Sequence, residues 1–174
     1  KINNSWEHLS WKDTKDLVLN ISSALHEIGV KKNDKISIIA DNSYKWCAVD
    51  LATISLGAIT VPGYTTSNEE EISYLLSHSQ TSIVFVNGKL LSLIIKILPS
   101  LNKIKYVICI DNTNTSKFKK FNIGFYTFNE LLNLGSKSDV KSEIIERIVS
   151  KIDENDIVSI IYTSGTSNKP KGVM

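Results

Sequence analysis

Residues 156–174 read DIVSIIYTSGTSNKPKGVM, a predicted strand that continues directly into a loop rich in hydroxyl groups. Residues 157–162 are mainly β-branched or aromatic, a composition typical of a buried strand. Four hydroxyl side chains and one glycine follow at residues 163–167, and a lysine stands on each side of Pro170. We therefore predict that a buried strand leads into a loop that binds an anion.

The composition of this loop suits a polyphosphate. Such a ligand needs several hydrogen-bond donors that converge on one surface, and serine and threonine hydroxyls supply them together with backbone N–H groups. Gly165 lets the main chain turn, and Lys171 adds a full positive charge. Gly172 has no side chain and is expected to leave room where a ligand passes the backbone. A polar turn after a strand is the simpler alternative, but the density of donors and the Pro-Lys-Gly ending favour phosphate binding.

The loop is not a Walker A motif. Counted from Gly165, the second glycine of that motif would fall at Pro170, and no Gly-Lys-Ser or Gly-Lys-Thr sequence follows. A P-loop kinase or GTPase is therefore not indicated.

Length and composition predict a globular domain. The chain has 174 residues, of which 42% are hydrophobic, and this is enough for one sizeable core. The formal net charge is only +2 and the lysines are scattered, so we expect no nucleic-acid partner. The basic run at residues 117–120 is interpreted as a solvated loop.

No segment predicts a membrane span, a secretory leader or a metal site. The chain lacks an apolar run of roughly 20 residues, so we expect a cytoplasmic protein and leave peripheral membrane contact open. Cys47 and Cys109 show no metal-ligand spacing and are predicted to be buried thiols in a reducing compartment. The three histidines, His8, His26 and His78, stand singly and are assigned no catalytic role.

Predicted helices and strands alternate along the chain. Three capping boxes predict helix starts, at Ser10 with Asp13, Ser67 with Glu70 and Thr127 with Glu130. Helices are expected over residues 10–29, 43–57, 67–78, 90–98, 127–134 and 138–150, and strands over residues 35–40, 58–62, 82–86 and 105–110. Residues 111–124 are predicted to form a loop or a poorly ordered insertion. This alternation predicts an α/β fold with a mostly parallel sheet flanked by helices on both faces.

The loop resembles the signature of the adenylate-forming enzymes, which include acyl-CoA synthetases, luciferases and the adenylation domains of peptide synthetases. The family sequence runs Y-T-S-G-T-T-G-x-P-K-G-V. It matches in register at Tyr162, Thr163, Ser164, Gly165, Thr166, Pro170, Lys171, Gly172 and Val173. Two positions depart from it, since Ser167 replaces a threonine and Asn168 replaces a glycine. Ser167 keeps the hydroxyl, and asparagine tolerates a positive φ better than most residues.

The resemblance extends along the whole chain. Residues 10–36 resemble the first helix and strand of the family's large N-terminal domain, and residues 42–46 and 57–66 are most similar to the long-chain fatty acyl-CoA synthetases. Residues 1–174 are thus interpreted as part of the N-terminal AMP-binding domain. Trp46 and Tyr64, in the last two segments, are interpreted as core residues, with substrate contact as the less favoured alternative.

The resemblance implies ATP-dependent activation of a fatty acid. The carboxylate would attack the α-phosphorus of ATP to give an acyl-adenylate and pyrophosphate, and the thiol of coenzyme A would then displace AMP. The candidate ATP-binding residues are Thr163, Ser164, Gly165, Thr166, Ser167, Asn168 and Lys171. Ser164, Thr166, Ser167 and Lys171 would hold the β- and γ-phosphates, Thr166 would contact Mg²⁺, and Thr163 and Gly165 would shape the turn.

The chain runs from Lys1 to Met174, and we interpret it as part of a longer protein. The family's other functional segments would follow Met174, so this chain alone is expected to be inactive. The implied partners are small molecules, namely ATP, a fatty acid and coenzyme A. Two alternatives stay open, a ligase for another acid, such as an amino acid or an aryl acid, and a nucleotide-binding remnant without activity.

Overall fold

Strands and helices alternate along the chain, as the sequence predicts. The computed structural model describes residues 8–111, 121–140, 142–163 and 169–174. The helices are α1 Trp11–Glu27, α2 Tyr44–Ser55, α3 Glu69–His78, α4 Leu91–Ile97, α5 Phe128–Lys137 and α6 Ser142–Val149. The strands are β1 Lys35–Ile39, β2 Ile59–Pro62, β3 Ile83–Val86, β4 Tyr106–Cys109, β5 Gly124–Thr127, β6 Ile161–Thr163 and β7 Lys171–Val173. Short 3-10 turns, Gly88–Leu90 and Leu98–Ser100, flank α4.

Five strands form a parallel sheet in the order β2-β1-β3-β4-β5. Ile38 of β1 is paired with Pro62 of β2 on one side and with Phe85 of β3 on the other. The chain moves from β1 to β2 at one edge and then crosses back to β3, so the connections change direction between β1 and β3. Ligands in open α/β sheets commonly bind at the carboxyl ends of strands near such a change.

Helices cover both faces of the sheet, which confirms the predicted fold class. Alternate residues of each strand point to opposite faces, so the core divides into two apolar clusters. One cluster joins Ile36, Ile38, Phe85 and Ile108 to buried residues of α1, α2, α5 and α6. The other joins Ile39, Val84, Val86, Val107 and Cys109 to α3 and α4.

Local sequence signals explain where several helices begin and end. The Ser10 and Thr127 hydroxyls each accept a hydrogen bond from the backbone three residues later, at 3.1 and 3.2 Å, in the predicted capping boxes. Gly29 and Gly57 follow the ends of α1 and α2 with φ values of 89° and 67°, a region that favours glycine. These signals were correctly interpreted from the sequence.

The capping box of α3 lies one residue later than predicted. Asn68 is the N-cap, and its side chain accepts a hydrogen bond from the Glu71 backbone at 3.0 Å. The Glu71 carboxylate in turn accepts from the Asn68 backbone at 3.0 Å. Ser67 with Glu70 has the same spacing, so the pattern alone could not distinguish the two pairs, and the predicted pair was wrong.

This correction predicts different effects of two neighbouring substitutions. Asn68→Ala removes the cap and is expected to lower the free energy of unfolding by about 1 kcal/mol. Ser67→Ala, the matched control, should change it by less than about 0.5 kcal/mol. Urea denaturation followed by circular dichroism measures both values, and a larger loss in the Ser67 variant would contradict the assigned cap.

Other boundaries differ from the predicted ones. Strand β5 was missed, because residues 125–126 were assigned to no element and Gly124 was placed at the end of the predicted loop or insertion. Of the residues predicted for that loop, 112–120 lie outside the described part of the chain. Helix α5 continues to Lys137, three residues past its predicted end. Within the described residues, α6 begins at Ser142. Cys109 is buried as predicted, but Cys47 is exposed, so the prediction of two core thiols was half wrong.

Candidate functional site

A short hairpin brings the two ends of the predicted phosphate loop together. Strands β6 and β7 pair antiparallel, with Thr163 directly opposite Lys171. Side chains that face each other across an antiparallel pair lie on the same side of the ribbon. Both residues are exposed, so a threonine and a lysine side chain leave the same side of the hairpin at the surface.

Only part of the candidate site lies within the described residues. Thr163 and Lys171 are described, and the structure brings them together. The other five candidates, Ser164, Gly165, Thr166, Ser167 and Asn168, lie outside the described residues. Their roles, including the Mg²⁺ contact of Thr166, stay predictions.

The segment before the hairpin is not the buried strand that we predicted. Regular pairing covers only β6, and residues 157–160 meet β2 through an isolated bridge between Ser159 and Thr60. Ile157, Val158 and Ile161 are 38%, 46% and 51% exposed. The prediction of burial was wrong because an apolar β-branched run identifies an extended segment without showing what covers it.

Two contacts attach this segment to the main sheet. The Thr60 N–H donates to the Val158 carbonyl at 3.0 Å, and the Ile160 N–H donates to the Thr60 carbonyl at 2.9 Å. Farther back, the Lys32 ammonium contacts the Asp156 carboxylate at 2.5 Å. Hydrogen bonding to Lys32 holds the pKa of the Asp156 carboxyl below its usual range. A lowered folded-state pKa means that this contact stabilises the fold at neutral pH and is lost as the carboxylate is protonated in acid.

Gly172 has a structural role within the hairpin, while the predicted role toward a ligand stays a prediction. A Cβ at this position would lie 2.8 Å from Ile160 Cγ2 and 3.4 Å from Tyr162 Cζ. The close approach in the structure therefore comes from the protein's own side chains. Gly172 lets the Tyr162 ring lie across β7, on the ribbon face opposite to Lys171.

Two residues that sequence reasoning did not assign to the site contact the hairpin from α3. His78 Nδ1 lies 2.7 Å from the Tyr162 hydroxyl, and the Tyr74 hydroxyl donates to the Pro170 carbonyl at 3.1 Å. Burial, followed by the neighbouring Tyr74, raises the pKa of the Tyr162 phenol. Tyr162 therefore stays protonated at neutral pH and can donate to the imidazole. The four-residue spacing of Tyr74 and His78 indicates a shared helix face, but it does not show what that face contacts.

A cleft of about 550 Å³ lies beside the hairpin, at the carboxyl ends of β1 and β2. Its lining includes Ile161 and Tyr162 of β6, together with Asp41, Trp46 and Tyr64. Trp46 packs partly against the core, as predicted. Tyr64 is 73% exposed, so its interpretation as a core residue was wrong. Its position after β2 places its ring at the surface of the cleft.

The carboxylate in the cleft is already paired. Asp41 Oδ2 accepts from the Lys89 ammonium at 2.8 Å, and Oδ1 accepts from the Thr65 hydroxyl at 3.0 Å. Lys89, followed by Thr65, holds the pKa of Asp41 below its usual range. The Asp41 N–H donates to Asn87 Oδ1 at 2.6 Å, which links the ends of β1 and β3. Asp41 is therefore an ionised structural group and a poor general base.

The described residues are chemically suited to an anion. An exposed threonine hydroxyl and an exposed lysine, side by side, provide a donor and a positive charge for phosphate oxygens. Among the described residues, no group of three or more His, Cys, Asp or Glu side chains could hold a metal ion. No described helix combines the length and apolar character needed to cross a membrane.

The chain matches known proteins along its full length. The AMP-binding enzyme family matches residues 1–174. Long chain acyl-CoA synthetase 4 of Arabidopsis thaliana is 31% identical over 169 residues, which cover 95% of this chain and 24% of the relative. A chloroplastic long-chain-fatty-acid–[acyl-carrier-protein] ligase of the same plant is 30% identical over 172 residues, 95% of this chain and 24% of that protein. The chain thus spans about a quarter of the length of these relatives.

Solved structures share the fold. An anthranilate CoA ligase in complex with anthranoyl-AMP superposes with a TM-score of 0.82 at 21% identity, over 96% of this chain and 29% of that one. A carboxylic acid reductase didomain from Segniliparus rugosus, in complex with AMP, superposes with a TM-score of 0.80 at 18% identity, over 97% of this chain and 25% of that one. These likenesses concern the fold alone. Because the family match extends over the whole chain, the chain belongs to the AMP-binding enzyme family of adenylate-forming ligases.

Proposed function

We propose that the complete protein is an acid–thiol ligase that activates a long-chain fatty acid with ATP. A fatty carboxylate attacks the α-phosphorus of ATP, which forms an acyl-adenylate and releases pyrophosphate. The thiol of coenzyme A then attacks the acyl carbon, and AMP leaves. In this proposal residues 1–174 form part of the N-terminal domain, and the rest of the catalytic machinery lies elsewhere in the protein.

The observation that carries the proposal is the pairing of Thr163 with Lys171. The pairing places a threonine and a lysine side chain on the same side of the hairpin, where the chain enters and leaves the signature loop. Negative charge builds on the β- and γ-phosphates as pyrophosphate leaves, and fixed donors stabilise that charge. We assign Ser164, Thr166 and Ser167 to the same phosphates by their positions in the motif. Gly165 shapes the turn together with Thr163, and Asn168 belongs to the same ATP-binding loop.

Magnesium fits this site only through oxygen ligands. The described pair of Thr163 and Lys171 suits phosphate oxygens, and the lysine would repel a bare cation. We therefore propose that Mg²⁺ is held by the phosphates of ATP together with the Thr166 hydroxyl. Bound in this way, the ion would supply charge neutralisation to the leaving pyrophosphate.

The relatives support a fatty acid as the substrate. Three relatives from plants and humans, 29% to 31% identical to this chain, are named for long-chain fatty acids or long-chain acyl-CoA. A cytoplasmic location, with contact to a membrane surface where fatty acids partition, is part of the same proposal.

A carrier-protein thiol is the second candidate for the acceptor. One relative, at 30% identity, is named as an acyl-carrier-protein ligase and matches this chain as well as the coenzyme A ligases do. The first half-reaction is the same for both acceptors, so only the second step separates them.

Isotope exchange between pyrophosphate and ATP tests the first half-reaction. The complete protein should exchange label with fatty acids of several chain lengths and show little exchange with amino acids or aryl acids. Exchange with amino acids alone would contradict the fatty-acid assignment, and absence of exchange with every acid would favour a nucleotide-binding remnant. Product analysis with coenzyme A or acyl-carrier protein as the acceptor then identifies the thiol.

A further inference from the structure

Helix α3 holds both strands of the hairpin through Tyr74 and His78, which stand one helical turn apart. Tyr74 bonds to the carbonyl of Pro170, the residue immediately before β7. His78 bonds to the hydroxyl of Tyr162, the central residue of β6. One face of one helix therefore contacts the chain on both sides of the signature loop.

Ring packing reinforces the two hydrogen bonds. The Tyr74 and His78 rings stack with their centroids 5.1 Å apart at an interplanar angle of 28°. The Tyr162 ring stands edge-on to both, at 6.3 Å and 89° from Tyr74 and at 5.7 Å and 87° from His78. The Lys169 ammonium lies 5.8 Å from the centroid of the Tyr74 ring. Edge-to-face and stacked geometries of this kind restrict the orientation of each ring.

The helix that carries these residues is itself firmly held. Ile72 and Leu76, on the same helix, are each 1% exposed and belong to the core cluster beneath the sheet. The capping box of Asn68 and Glu71 fixes the start of the helix, and Lys96 of α4 forms an ion pair with Glu69. Helix α3 can therefore hold the hairpin that contacts its outer face in a fixed position.

The hairpin, in contrast, needs support. Its strands have only three residues each, and an isolated two-stranded ribbon is at best marginally stable in water. Thr163 and Lys171 point away from the face that α3 contacts, because neighbouring residues of a strand alternate in direction. The contacts between Tyr162 and α3 therefore fix the position and orientation of Thr163 and Lys171. The residues that make these contacts would not themselves touch a ligand.

We propose that Tyr74 and His78 are positioning residues that hold the hairpin, and with it Thr163 and Lys171, in the geometry that binds the triphosphate. The catalytic part of this inference rests on the proposed function. A displacement of about 1 Å in groups that stabilise a transition state is enough to slow a reaction substantially.

Kinetics of the complete protein test the catalytic consequence. His78→Leu, Tyr162→Phe and Tyr74→Phe should each lower kcat/KM for ATP by about three- to tenfold, the range for loss of one neutral hydrogen bond. The KM for the carboxylic acid should not change. The variant that combines His78→Leu with Tyr162→Phe should be no worse than the more impaired single variant, because both remove the same bond.

Two further variants separate positioning from general destabilisation. His78→Gln keeps a hydrogen-bonding group and should recover part of the lost kcat/KM. Ser77→Ala removes a hydroxyl that bonds within α3, to the Tyr74 carbonyl at 3.1 Å, and should behave as the wild type. Simple loss of folded protein would lower kcat and leave the KM for ATP unchanged, whereas displacement of Thr163 and Lys171 is expected to raise the KM for ATP.

Limited trypsin digestion of the complete protein tests the support of the hairpin without any assay of activity. Cleavage after Lys171 should be faster in His78→Leu and Tyr74→Phe than in the wild type or Ser77→Ala, while cleavage after Lys151 should not change. Unchanged cleavage in both variants would overturn the proposal, and so would faster cleavage with unchanged ATP kinetics in an active enzyme. If the wild type shows no pyrophosphate exchange, the proposed function fails, and the digestion still decides whether α3 holds the hairpin.

Discussion

Lys171→Ala is expected to slow adenylate formation by the complete protein about 10- to 100-fold, somewhat less than the roughly 100- to 1,000-fold that loss of one preorganised donor costs in a water-excluded active site. The lysine is exposed at the first position of β7 and faces Thr163 across the hairpin. Its charge is expected to stabilise the phosphates as pyrophosphate leaves. Pyrophosphate exchange at saturating fatty acid measures the effect on this half-reaction alone.

Two matched variants show whether the positive charge of Lys171 is responsible for the expected loss of activity. Lys171→Arg keeps the positive charge and should lose less activity than the alanine variant, although arginine presents its donors differently. Lys169→Ala removes a lysine that lies over the Tyr74 ring, 5.8 Å from its centroid, and should cost no more than about threefold. An unchanged exchange rate in Lys171→Ala would contradict the assignment of this residue to the phosphates.

The parallel sheet was predictable because its central strands are short apolar runs between helices with clear caps. The run around Ile36 and Ile38 is buried on both faces, and Ser10 and Thr127 begin helices through local hydrogen bonds that depend only on nearby residues. Strand β5 was missed because it is an edge strand whose residues are only half-buried. It also starts with a glycine, so neither an apolar run nor a strand-favouring residue marks its beginning.

The phosphate-binding role of the candidate site stays a prediction, and several features of its surroundings could not be predicted from the sequence. The pattern of hydroxyls and lysines indicates an anion loop, and the antiparallel pairing of Thr163 with Lys171 is compatible with it. The exposure of Ile157 could not be predicted, because it depends on what packs over the segment. The contact of His78 with Tyr162 joins residues 84 positions apart, and local sequence carries no information about such a partner.

Gly135 lies inside α5, just past the predicted end of that helix, and it contacts α1. The predicted helix ended at Leu134, immediately before this glycine, yet α5 continues through it to Lys137. Gly135 is buried where α5 packs against α1. A Cβ at this position would lie 2.0 Å from the backbone oxygen of Asn20 and 2.3 Å from its Oδ1. The glycine therefore permits close approach of two helices.

Gly135→Ala is accordingly expected to destabilise the protein, although alanine is the better helix former. In a helix interior, alanine favours the helical conformation by about 1 kcal/mol relative to glycine. Against this, overpacking costs about 1–3 kcal/mol, and the upper end applies because the nearest atom belongs to the backbone of α1. The net loss should be about 2 kcal/mol, which corresponds to a fall in Tm of about 4–8 °C for a domain of this size. Thermal and urea denaturation measure both quantities.

The choice of controls separates a backbone clash from a side-chain clash. Ser136→Ala changes an exposed neighbour in the same helix and should shift stability by less than about 0.5 kcal/mol. Asn20→Ala removes Oδ1 and leaves the backbone oxygen in place. If the backbone contact dominates, Asn20→Ala will not rescue Gly135→Ala, because α1 and α5 must still move apart and lose the packing between them. Full rescue would show that the Asn20 side chain alone excludes a Cβ, and the close approach of the two backbones would then not be the reason for the glycine.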